Sequence, residues 1–566
     1  MFQRRPSPAQ PARPRRWGGI AARGYIMAGA HASHHFRRIR KNTHNPMGKY
    51  LGFDCSTESL TAVVIDTDSG SILNQCQLIY EEAVPQYQDS KGLLKSNGAL
   101  VRHSSPLMWA AGLEILLWRL KAQGVDFSAI EGISGSAQQH GTVYFNRQLL
   151  ECGINPPVGS DLAETIQPLL SRSSSPIWMD LSTFEDCRAL NDAVGGRQAM
   201  QQRTGSPATE RFAGPQIRKF ARENPQSYAD TASIHLVSSF LCSLFIGKSA
   251  PLDYADASGM NLEDIRKCAW DRELLDLTAP NLEPRLPALV PSATIAGNVS
   301  EYFQNKFGFR PGTAVVTFSG DNMSRVIGLG GYKPGTVVIA LKTSDTCFAS
   351  VKKPLLDESG YGHVFLSASE GYIALNCFQN GGVARRIIRN RYGLEWKDFD
   401  DRAIQVTPPG NNGNMILPYF SPESTPLVLN AGPVLEGSQL FTTWMDGVAM
   451  VRALVEAQAM SMYLHSSWAI GHPKTIRLTG SASRRRGLAQ VYADVFNAKV
   501  ERIAVNDAGA LGAAIRAASV AGKIPLSALS RQFCAFDDAM SLMPIPENVA
   551  IYRQMLPRYE QLEKSV

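Results

Sequence analysis

Residues 49–66, KYLGFDCSTESLTAVVID, contain two runs of strand-forming residues joined by a short polar turn. Residues 335–351, GTVVIALKTSDTCFASV, repeat this plan in the second half of the chain. Each stretch predicts a β-hairpin, because apolar and β-branched residues flank a cluster of Asp, Ser and Thr. Two such hairpins, each opening about half of the chain, predict a duplicated domain with a cleft between the copies.

The polar tips of both hairpins are suited to binding phosphate. The first tip offers Ser56 and Thr57 beside Asp54, and the second offers Thr343 and Ser344. Small hydroxyl groups and backbone N–H groups approach a phosphoryl chain closely and donate to it without steric bulk. For either turn taken alone, an ordinary hairpin with a polar tip is the alternative.

The length of 566 residues exceeds what one hydrophobic core usually serves and predicts two or more domains. Apolar residues at 44% and charged residues at 19% fit a globular protein and exclude a disordered or collagen-like one. We divide the chain into a basic leader (1–46), a first domain (47–330) and a second domain (331–566).

Positive charge is concentrated in the leader, which holds nine Arg and one Lys but no Asp or Glu. The other residues carry 47 basic and 50 acidic groups, so nothing in the folded part predicts a nucleic-acid partner. We interpret the leader as disordered because it has no sustained apolar period. Three interpretations of it stay open: an extension upstream of a start at Met47, an organelle transit peptide, and an anion-binding arm.

Nine scattered cysteines, never closer than 21 residues apart, predict reduced thiols and a cytoplasmic location. Their spacing matches no short metal-ligand motif. The longest uncharged apolar stretch, Ala232 to Gly247, has only 16 residues and includes four Ser and a His, so we predict no membrane span. Its apolar spacing predicts a buried helix instead.

The rest of the chain alternates predicted strands and helices, which is typical of α/β folds. Three strands are each followed by a polar loop and a helix: residues 313–318 with a helix from Met323, residues 476–479 with a helix after the Gly480 loop, and residues 499–505 with a helix over 508–518 capped by Asn506 and Asp507. Open α/β folds bind ligands at such strand ends.

Asp321 is the strongest candidate for a catalytic residue. It stands between a predicted buried strand and a helix start, and its neighbours Ser319 and Gly320 are small enough to leave room for a substrate. A carboxylate there can accept a hydroxyl proton while that oxygen attacks a phosphoryl group. A plain helix N-cap is the alternative.

Three further stretches carry polar groups that suit a polyol. Gln138, Gln139 and His140 follow the predicted strand 130–134 in a Gly- and Ser-rich turn, where amide and imidazole groups can bind several hydroxyls. Asp180 and Arg211 each lie beside bulky residues that could line the same pocket. The alternatives are a structural histidine and surface ion pairs.

Taken together, these residues resemble the FGGY carbohydrate kinases, and within them the D-xylulose kinases of eukaryotic type. The segments that carry the resemblance occur in family order from about residue 49 to the C-terminus: LGFDCST (51–57), GSAQQHG (135–141), WMDLST (178–183), ERF (210–212), LVSSF (236–240), GMNL (259–262), SGDN (319–322), TSDT (343–346), VRAL (451–454) and ADVF (493–496).

The resemblance implies two actin-like, ribonuclease-H-like domains that close over ATP and a sugar, with γ-phosphoryl transfer to O5 of D-xylulose. It implies Asp321 as general base and a sugar site made by His140, Arg211, Asp321 and Asn322, with Gln139 and Asp180 beside them. It also implies that the nucleotide phosphates and Mg²⁺ face Asp54, Ser56, Thr57, Thr343 and Ser344, with Asp54 nearest the metal. The rest of the nucleotide would meet Trp396, Gly480, Ser481 and Arg484.

The sequence departs from the family pattern in its nucleotide half, where Lys342 and Ser481 each stand at a position that is usually Gly. A Gly at the hairpin tip takes positive φ freely, so we expect Lys342 to be strained by about 1–3 kcal/mol. We also expect its ammonium to reach the β- or γ-phosphate. The alternative functions are a kinase for another ketose or polyol, a sugar-binding pseudokinase, and a chaperone-like or filament-forming ATPase.

Overall fold

Two mixed β-sheets organise the computed structural model, which describes residues 48–565 apart from 97, 158, 400–402, 431, 503–506 and 537. The predictions for the leader, Met47, Val505 and Asn506 therefore lie outside the described residues. Each sheet contains one of the two predicted hairpins, and the strands of each hairpin pair antiparallel. Both hairpin predictions are confirmed.

The strands of the two sheets are given in spatial order. The first sheet consists of Ile295–Asn298, Ala314–Val316, Ile130–Ala137, Lys49–Cys55, Ser59–Asp66 and Ser71–Ile79, with Ser319–Gly320 paired to Ile130–Ala137. The second sheet consists of His363–Leu366, Tyr372–Phe378, Asp345–Val351, Val337–Leu341, Thr475–Thr479 and Lys499–Arg502.

Five strands of each sheet share one topology, and each sheet adds a further antiparallel strand at a different edge. Lys49–Cys55 pairs antiparallel with Ser59–Asp66 and parallel with Ile130–Ala137. Val337–Leu341 likewise pairs antiparallel with Asp345–Val351 and parallel with Thr475–Thr479. Val337–Leu341 is buried throughout, as expected for a central strand that is covered on both faces. The predicted α/β fold with two actin-like, ribonuclease-H-like halves is confirmed.

Helices and short two-stranded pairs surround the sheets. The helices before residue 331 are Tyr80–Ala83, Pro106–Ala122, Gln148–Cys152, Leu162–Ile166, Phe184–Ala193, Arg197–Thr204, Ala213–Glu223, Pro225–Asp230, Val237–Ile246, Tyr254–Ala257, Arg272–Thr278, Glu301–Phe307 and Asp321–Gly328. The later helices are Gly382–Arg391, Ala403–Val406, Gln439–Thr442, Gly447–Ile470, Arg486–Phe496, Ala508–Val520, Leu526–Phe533 and Pro546–Glu563. The strand pairs are His103–Ser104 with Ser175–Pro176, Thr142–Phe145 with Ser233–Leu236, Leu252–Asp253 with Leu289–Val290, Glu263–Asp264 with Ala269–Trp270, Met415–Leu417 with Val434–Glu436, and Glu423–Ser424 with Leu427–Val428.

Two helices, Asp321–Gly328 and Ala508–Val520, join the two halves through one apolar core. This core includes side chains of both helices together with Val63 of the first sheet and Val338 of the second. The two helices approach each other so closely that a Cβ on Gly512 would lie 1.8 Å from the carbonyl oxygen of Ser324, so only glycine fits there. The first residues of both helices are thereby fixed relative to each other.

The structure corrects four local predictions. The strand predicted over 313–318 is shorter, and the helix after it begins at Asp321 rather than Met323, because Gly320 already occupies the N-cap position. The helix predicted over 232–247 forms only over Val237–Ile246, because the residues before it pair as a strand with Thr142–Phe145. Asp507 occupies the N-cap position of the helix Ala508–Val520, but its carboxylate makes no capping hydrogen bond and instead accepts one from Gln75.

The nine cysteines are all free thiols. Among the described residues, no helix combines the length and the hydrophobicity that crossing a bilayer requires.

Candidate active site

Asp321 is the first residue of its helix and directly follows the short strand Ser319–Gly320. Because Gly320 is the N-cap residue, the alternative of a plain N-cap aspartate does not apply. Asp321 Oδ2 accepts a hydrogen bond from Arg325 Nη2 at 3.2 Å, one helical turn further on. About a quarter of the Asp321 side chain is exposed, at 24%, so a substrate hydroxyl can reach the carboxylate.

A hydrogen-bonded chain joins Asn322 to the loop that carries Gln139. Asn322 Nδ2 donates to Gln139 Oε1 at 2.8 Å, and Gln139 Nε2 donates to Asp256 Oδ1 at 3.5 Å. Burial, reinforced by the charge of Asp253, raises the pKa of Asp256 to about 8. The hydroxyl of Ser238 donates to the second oxygen of Asp256. The chain fixes the amide of Asn322 beside Asp321.

His140 is held as a neutral imidazole. Its Nδ1 donates to the carbonyl oxygen of Gly259 at 2.8 Å, and its ring stacks on Phe212 at 4.1 Å. Burial first, and the charge of Arg211 second, lower the pKa of His140 to about 3. Since Nδ1 carries the proton, Nε2 is an acceptor for a hydroxyl group. The backbone of His140 has φ 73°, a strained conformation of the kind that concentrates at functional sites.

Two buried donor atoms around this loop have no hydrogen-bond partner among the described residues. They are Nε of Arg211 and Nε2 of Gln138. Most buried polar groups in native proteins are hydrogen-bonded, so two unsatisfied donors in one region indicate a polar ligand. Arg211 also acts on His363, whose pKa is lowered to about 3 by burial and then by this charge. The structure brings Gln139, His140, Arg211 and Asn322 together.

Asp180 is fully occupied by protein donors. Its oxygens accept hydrogen bonds from the backbone N–H of Arg102 at 2.9 Å, from that of Ser182 at 3.0 Å and from Gln216 Nε2 at 2.9 Å. Burial alone raises the pKa of Asp180, but hydrogen bonds from His103 and these partners hold it well below its usual range. Asp180 has no exposed surface, and these hydrogen bonds join it to residues other than Gln139, His140, Arg211 and Asn322.

The two hydroxyls of the first tip face different surroundings. Thr57 Oγ1 donates to Gln138 Oε1 at 3.0 Å and accepts from Trp178 Nε1 at 2.9 Å, on the side of the predicted sugar loop. Ser56 Oγ donates to the carbonyl oxygen of Ser59 at 2.9 Å and closes its own turn. Of the two, only Ser56 lines the cavity between the hairpins.

Asp54 is the penultimate residue of the strand Lys49–Cys55 and lies opposite the start of the helix Ala508–Val520. Its Oδ1 accepts a hydrogen bond from Ser136 Oγ at 2.6 Å. A Cβ on Gly509 would lie 2.4 Å from Asp54 Oδ2, so only glycine lets the helix start this close to the carboxylate. Burial raises the pKa of Asp54, and the charges of Arg325 and Lys342 act in the opposite direction.

The second tip is shaped by a buried ion pair. Asp345 accepts two hydrogen bonds from Arg385, at 2.7 and 2.8 Å, and a third from the backbone N–H of Lys342 at 3.1 Å. Lys342 does not have positive φ, so the expected strain is wrong. The Asp345 carboxylate holds the Lys342 N–H, and the tip turns without a left-handed residue at this position.

The side chain of Lys342 is exposed within the cleft. Repulsion from Arg325, followed by partial desolvation by the walls of the cleft, lowers the pKa of Lys342 to about 8, while Asp54, Asp321 and Asp507 act in the opposite direction. Lys342 makes no ion pair with any described residue. The cationic side chains of Lys342 and Arg325 therefore lie close together in the cleft, with acidic side chains near them.

Two neighbouring cavities meet at Lys342 and Ser481. The first, of about 410 Å³, is lined by residues of both halves that include Asp54, Ser56, Arg325, Lys342, Gly480 and Arg484. The second, of about 230 Å³, is lined by residues that include Thr343, Trp396 and Arg485. Gly480 has φ 95°, and a Cβ there would lie 2.1 Å from the carbonyl oxygen of Leu341, so the position requires glycine.

The remaining nucleotide-site candidates differ in position. The ring of Trp396 lies under the guanidinium of Arg389 at 4.7 Å and forms one wall of the smaller cavity. Ser344 lies near the thiol of Cys377 and lines neither cavity.

Comparison with known proteins assigns the chain to a family. The model of the N-terminal domain of the FGGY family of carbohydrate kinases matches residues 167–328, and the model of its C-terminal domain matches residues 367–521. The chain belongs to the FGGY carbohydrate kinases. It is therefore an enzyme that transfers a phosphoryl group to a carbohydrate, with ATP as donor.

Relatives of this FGGY kinase cover nearly its whole length. The xylulose kinase of Rattus norvegicus is 36% identical over 91% of this chain and 96% of its own. Xylulose kinase 2 of Arabidopsis thaliana is 36% identical over 84% of this chain and 87% of its own. The crystal structure of ligand-bound xylulose kinase from Lactobacillus acidophilus superimposes with a TM-score of 0.77 at 20% identity, over 92% and 98% of the two chains.

Sequence reasoning missed two residues at the site of this kinase, Arg325 and Asp256. Arg325 lies one helical turn after Asp321, and that i, i+4 spacing was the available signal once the helix was known to begin at Asp321. Asp256 follows Gln139 by more than a hundred residues, so only the fold brings it under the loop.

Proposed function

We propose that this kinase phosphorylates D-xylulose at O5 with ATP and gives D-xylulose 5-phosphate and ADP. The names of the relatives with 30–36% identity support the substrate. The positions of Asp321 and Asn322 support the mechanism most directly. Asp321 contacts Arg325 at the edge of the larger cavity, and Asn322 contacts Gln139 of the loop with unsatisfied donors.

Asp321 is the general base of this proposal. In the transfer step the attacking hydroxyl oxygen forms a bond to the γ-phosphorus, and the bond from that phosphorus to the bridging oxygen breaks. The electron pair leaves with ADP, and the hydroxyl proton passes to the carboxylate of Asp321. About a quarter of the Asp321 side chain is exposed, which lets a substrate hydroxyl approach the carboxylate.

The sugar hydroxyls bind the neighbouring polar groups. His140 Nε2 accepts a hydrogen bond because its imidazole is neutral, and the unsatisfied Nε of Arg211 donates one. Asn322 is oriented by Gln139, so its amide meets the sugar in a fixed direction. A site built to bind hydroxyls discriminates strongly against analogues that lack them, because its polar groups would stay unpaired.

The phosphates of ATP occupy the larger cavity, and the adenosine extends into the smaller one beside Trp396. Lys342 and Ser481 line both cavities and can contact the phosphates at their junction. Asp54 fits a Mg²⁺ ion, since magnesium sites commonly combine one or two carboxylates with substrate phosphates. The Ser136 hydroxyl orients the carboxylate of Asp54. Bound Mg²⁺ would neutralise phosphate charge.

We further propose that the halves 47–330 and 331–566 act as two domains that close over the substrates. A cavity lined by both hairpins supports this division. The nine free cysteines support a cytoplasmic location.

The experiment that tests the proposed function identifies the product. The protein is incubated with Mg-ATP and D-xylulose, and the reaction is followed by ³¹P NMR with phosphorus–proton correlation. We expect one new phosphomonoester whose phosphorus couples to the two protons on C5. A phosphate at another carbon, or ATP consumption without a sugar phosphate, would contradict the proposal.

A further inference from the structure

Arg325 lies at the junction of the two substrate sites. Its Nη2 donates to Asp321 Oδ2 at 3.2 Å, and its Nη1 donates to Asn322 Oδ1 at 3.3 Å. The same side chain lines the cavity that also contains Asp54 and Lys342. Arg325 is therefore in contact with the two residues of the proposed sugar and base site while it borders the proposed phosphate site.

In the ligand-free chain one oxygen of the proposed base is bound to a cation. The guanidinium of Arg325 therefore competes with a sugar hydroxyl for Oδ2 of Asp321. The cavity beside Arg325 also holds the ammonium of Lys342, which repels it. A polyanion that entered this cavity would relieve the repulsion and offer the guanidinium a second carboxylate-like acceptor, since Arg binds phosphate oxygens through two parallel N–H groups.

We propose that Arg325 exchanges Asp321 for the γ-phosphoryl oxygens of ATP when the nucleotide binds beside Lys342. The exchange rests on the proposed function, and it does two things in one movement. It frees Oδ2 of Asp321 for the hydroxyl proton, and it places a fixed cation on the group being transferred.

Arg325 keeps its protons throughout the step. The sugar oxygen bonds to the γ-phosphorus, the bridging oxygen leaves with ADP, and the hydroxyl proton moves to Asp321. The guanidinium stabilises the charge spread over the three equatorial oxygens of the transferred group, which is where phosphoryl transfer is most sensitive to added cations. Arg325 is then a catalytic residue that contacts the γ-phosphoryl group. Its release of Asp321 also makes that carboxylate available as the base.

The test compares Arg325→Gln and Arg325→Lys with the unmodified protein in two assays. The first measures kcat and KM with D-xylulose and Mg-ATP. The second measures, without sugar, the affinity for ADP and for the non-hydrolysable β,γ-imido analogue of ATP by calorimetry. Arg310→Gln is the matched control, because it removes an arginine–carboxylate contact of the same 3.2 Å, to Glu131, on the surface.

For Arg325→Gln we expect kcat to fall by about 10²- to 10³-fold, the range for losing one donor to a transition-state charge. The preference for the imido analogue over ADP should fall by about ten-fold, a loss typical of a charge-assisted hydrogen bond, with ADP affinity unchanged. Arg325→Lys should recover part of both losses, because lysine keeps the positive charge but lacks the two parallel N–H donors of the guanidinium. Arg310→Gln should match the unmodified protein.

Three results would overturn the exchange. These are wild-type kcat in Arg325→Gln, an equal loss of affinity for ADP and for the imido analogue, and a rise in sugar KM with kcat unchanged. The last two would show that Arg325 only shapes the cleft. If the unmodified protein phosphorylates no sugar, the proposed function fails, whereas the comparison of ADP with the imido analogue still decides the role of Arg325. Melting temperatures identify any variant that misfolds, and Arg325→Lys then carries the test.

Discussion

At the scale of single residues, the proposed phosphoryl transfer depends most on Asp321. We expect Asp321→Asn to lower kcat by about 10²-fold or more, because the amide cannot accept the hydroxyl proton. The KM for D-xylulose should stay within a few-fold, since Asn322, His140 and Arg211 are unchanged. Steady-state kinetics with a coupled ADP assay measure both constants. Asp276→Asn, at an exposed position of the helix Arg272–Thr278, is the control, and near wild-type turnover in Asp321→Asn would refute the base.

Lys342 gives a prediction about pH. Its pKa of about 8 in the ligand-free chain means that the ammonium is mostly protonated at pH 7 and mostly neutral at pH 9. Because the charged form attracts phosphate, ATP should bind more weakly as the pH rises from 7 to 9, with proton uptake on binding near pH 8. Lys342→Gly should weaken ATP binding at pH 7, flatten this dependence and raise kcat, because a ground-state attraction need not lower the barrier.

Calorimetry in buffers of different ionisation enthalpy measures the proton uptake. Tighter ATP binding by Lys342→Gly would instead mark the lysine as an obstruction, and the pseudokinase alternative would gain support.

Much of the site was predictable at this scale, but its contacts were not. Asp321, Gln139, His140 and Arg211 were named from short motifs because their side chains suit the chemistry, and Asn322 was named from the family resemblance. Arg325 is an ordinary helical arginine in the sequence, and its role depends on a helix that begins two residues earlier than predicted. Lys342 was expected to be strained, but a side chain three residues later holds its N–H.

At the scale of elements, the second hairpin depends on its buried ion pair. Arg385 and Asp345 are 3% and 2% exposed, and together they fix the tip against the start of the helix Gly382–Arg391. We expect Asp345→Asn to lower the free energy of unfolding by about 3–5 kcal/mol, because it leaves a buried guanidinium without its counter-charge.

Urea denaturation followed by circular dichroism measures this loss. Glu131→Gln is the control, since it breaks the exposed pair with Arg310 and should cost at most about 1 kcal/mol. Equal stability of Asp345→Asn and Glu131→Gln would mean that the tip does not depend on the pair.

Elements with a clear hydrophobic pattern were predicted well. Both hairpins form where apolar and β-branched runs flank a polar turn, and their pairing follows directly from that pattern. The residues before Val237 form a strand instead of the predicted helix, because pairing with Thr142–Phe145 outweighs a helical spacing. Such pairing joins segments about 90 residues apart, and local sequence does not encode it.

At the scale of the whole molecule, the repeated topology was predictable and the contacts between the halves were not. Two similar hairpins indicated a duplication. The helix Ala508–Val520 belongs to the second half by sequence, yet it packs against Gly52 of the first sheet, where a Cβ would lie 2.1 Å from the carbonyl oxygen of Ala510. Small residues in both partners permit this approach, and only the folded chain shows it.

The position of the substrate cavity between the halves predicts a closure. Because Asp54 and Lys342 lie on different hairpins, ATP and sugar together should compact the protein more than either ligand alone. Small-angle X-ray scattering of the free, singly liganded and doubly liganded protein measures the change in radius of gyration. Identical profiles for the free and doubly liganded forms would mean that the cleft does not close.

The most direct test of the proposed phosphorylation of D-xylulose is a panel of candidate substrates. Purified protein is given Mg-ATP and, one at a time, D-xylulose, other ketoses and polyols, and ADP release is followed to obtain kcat/KM for each. We expect kcat/KM for D-xylulose to exceed every other value by at least about ten-fold, because each missing or inverted hydroxyl leaves a buried donor unpaired. A higher kcat/KM for another sugar, or ADP release that no sugar stimulates, would contradict it.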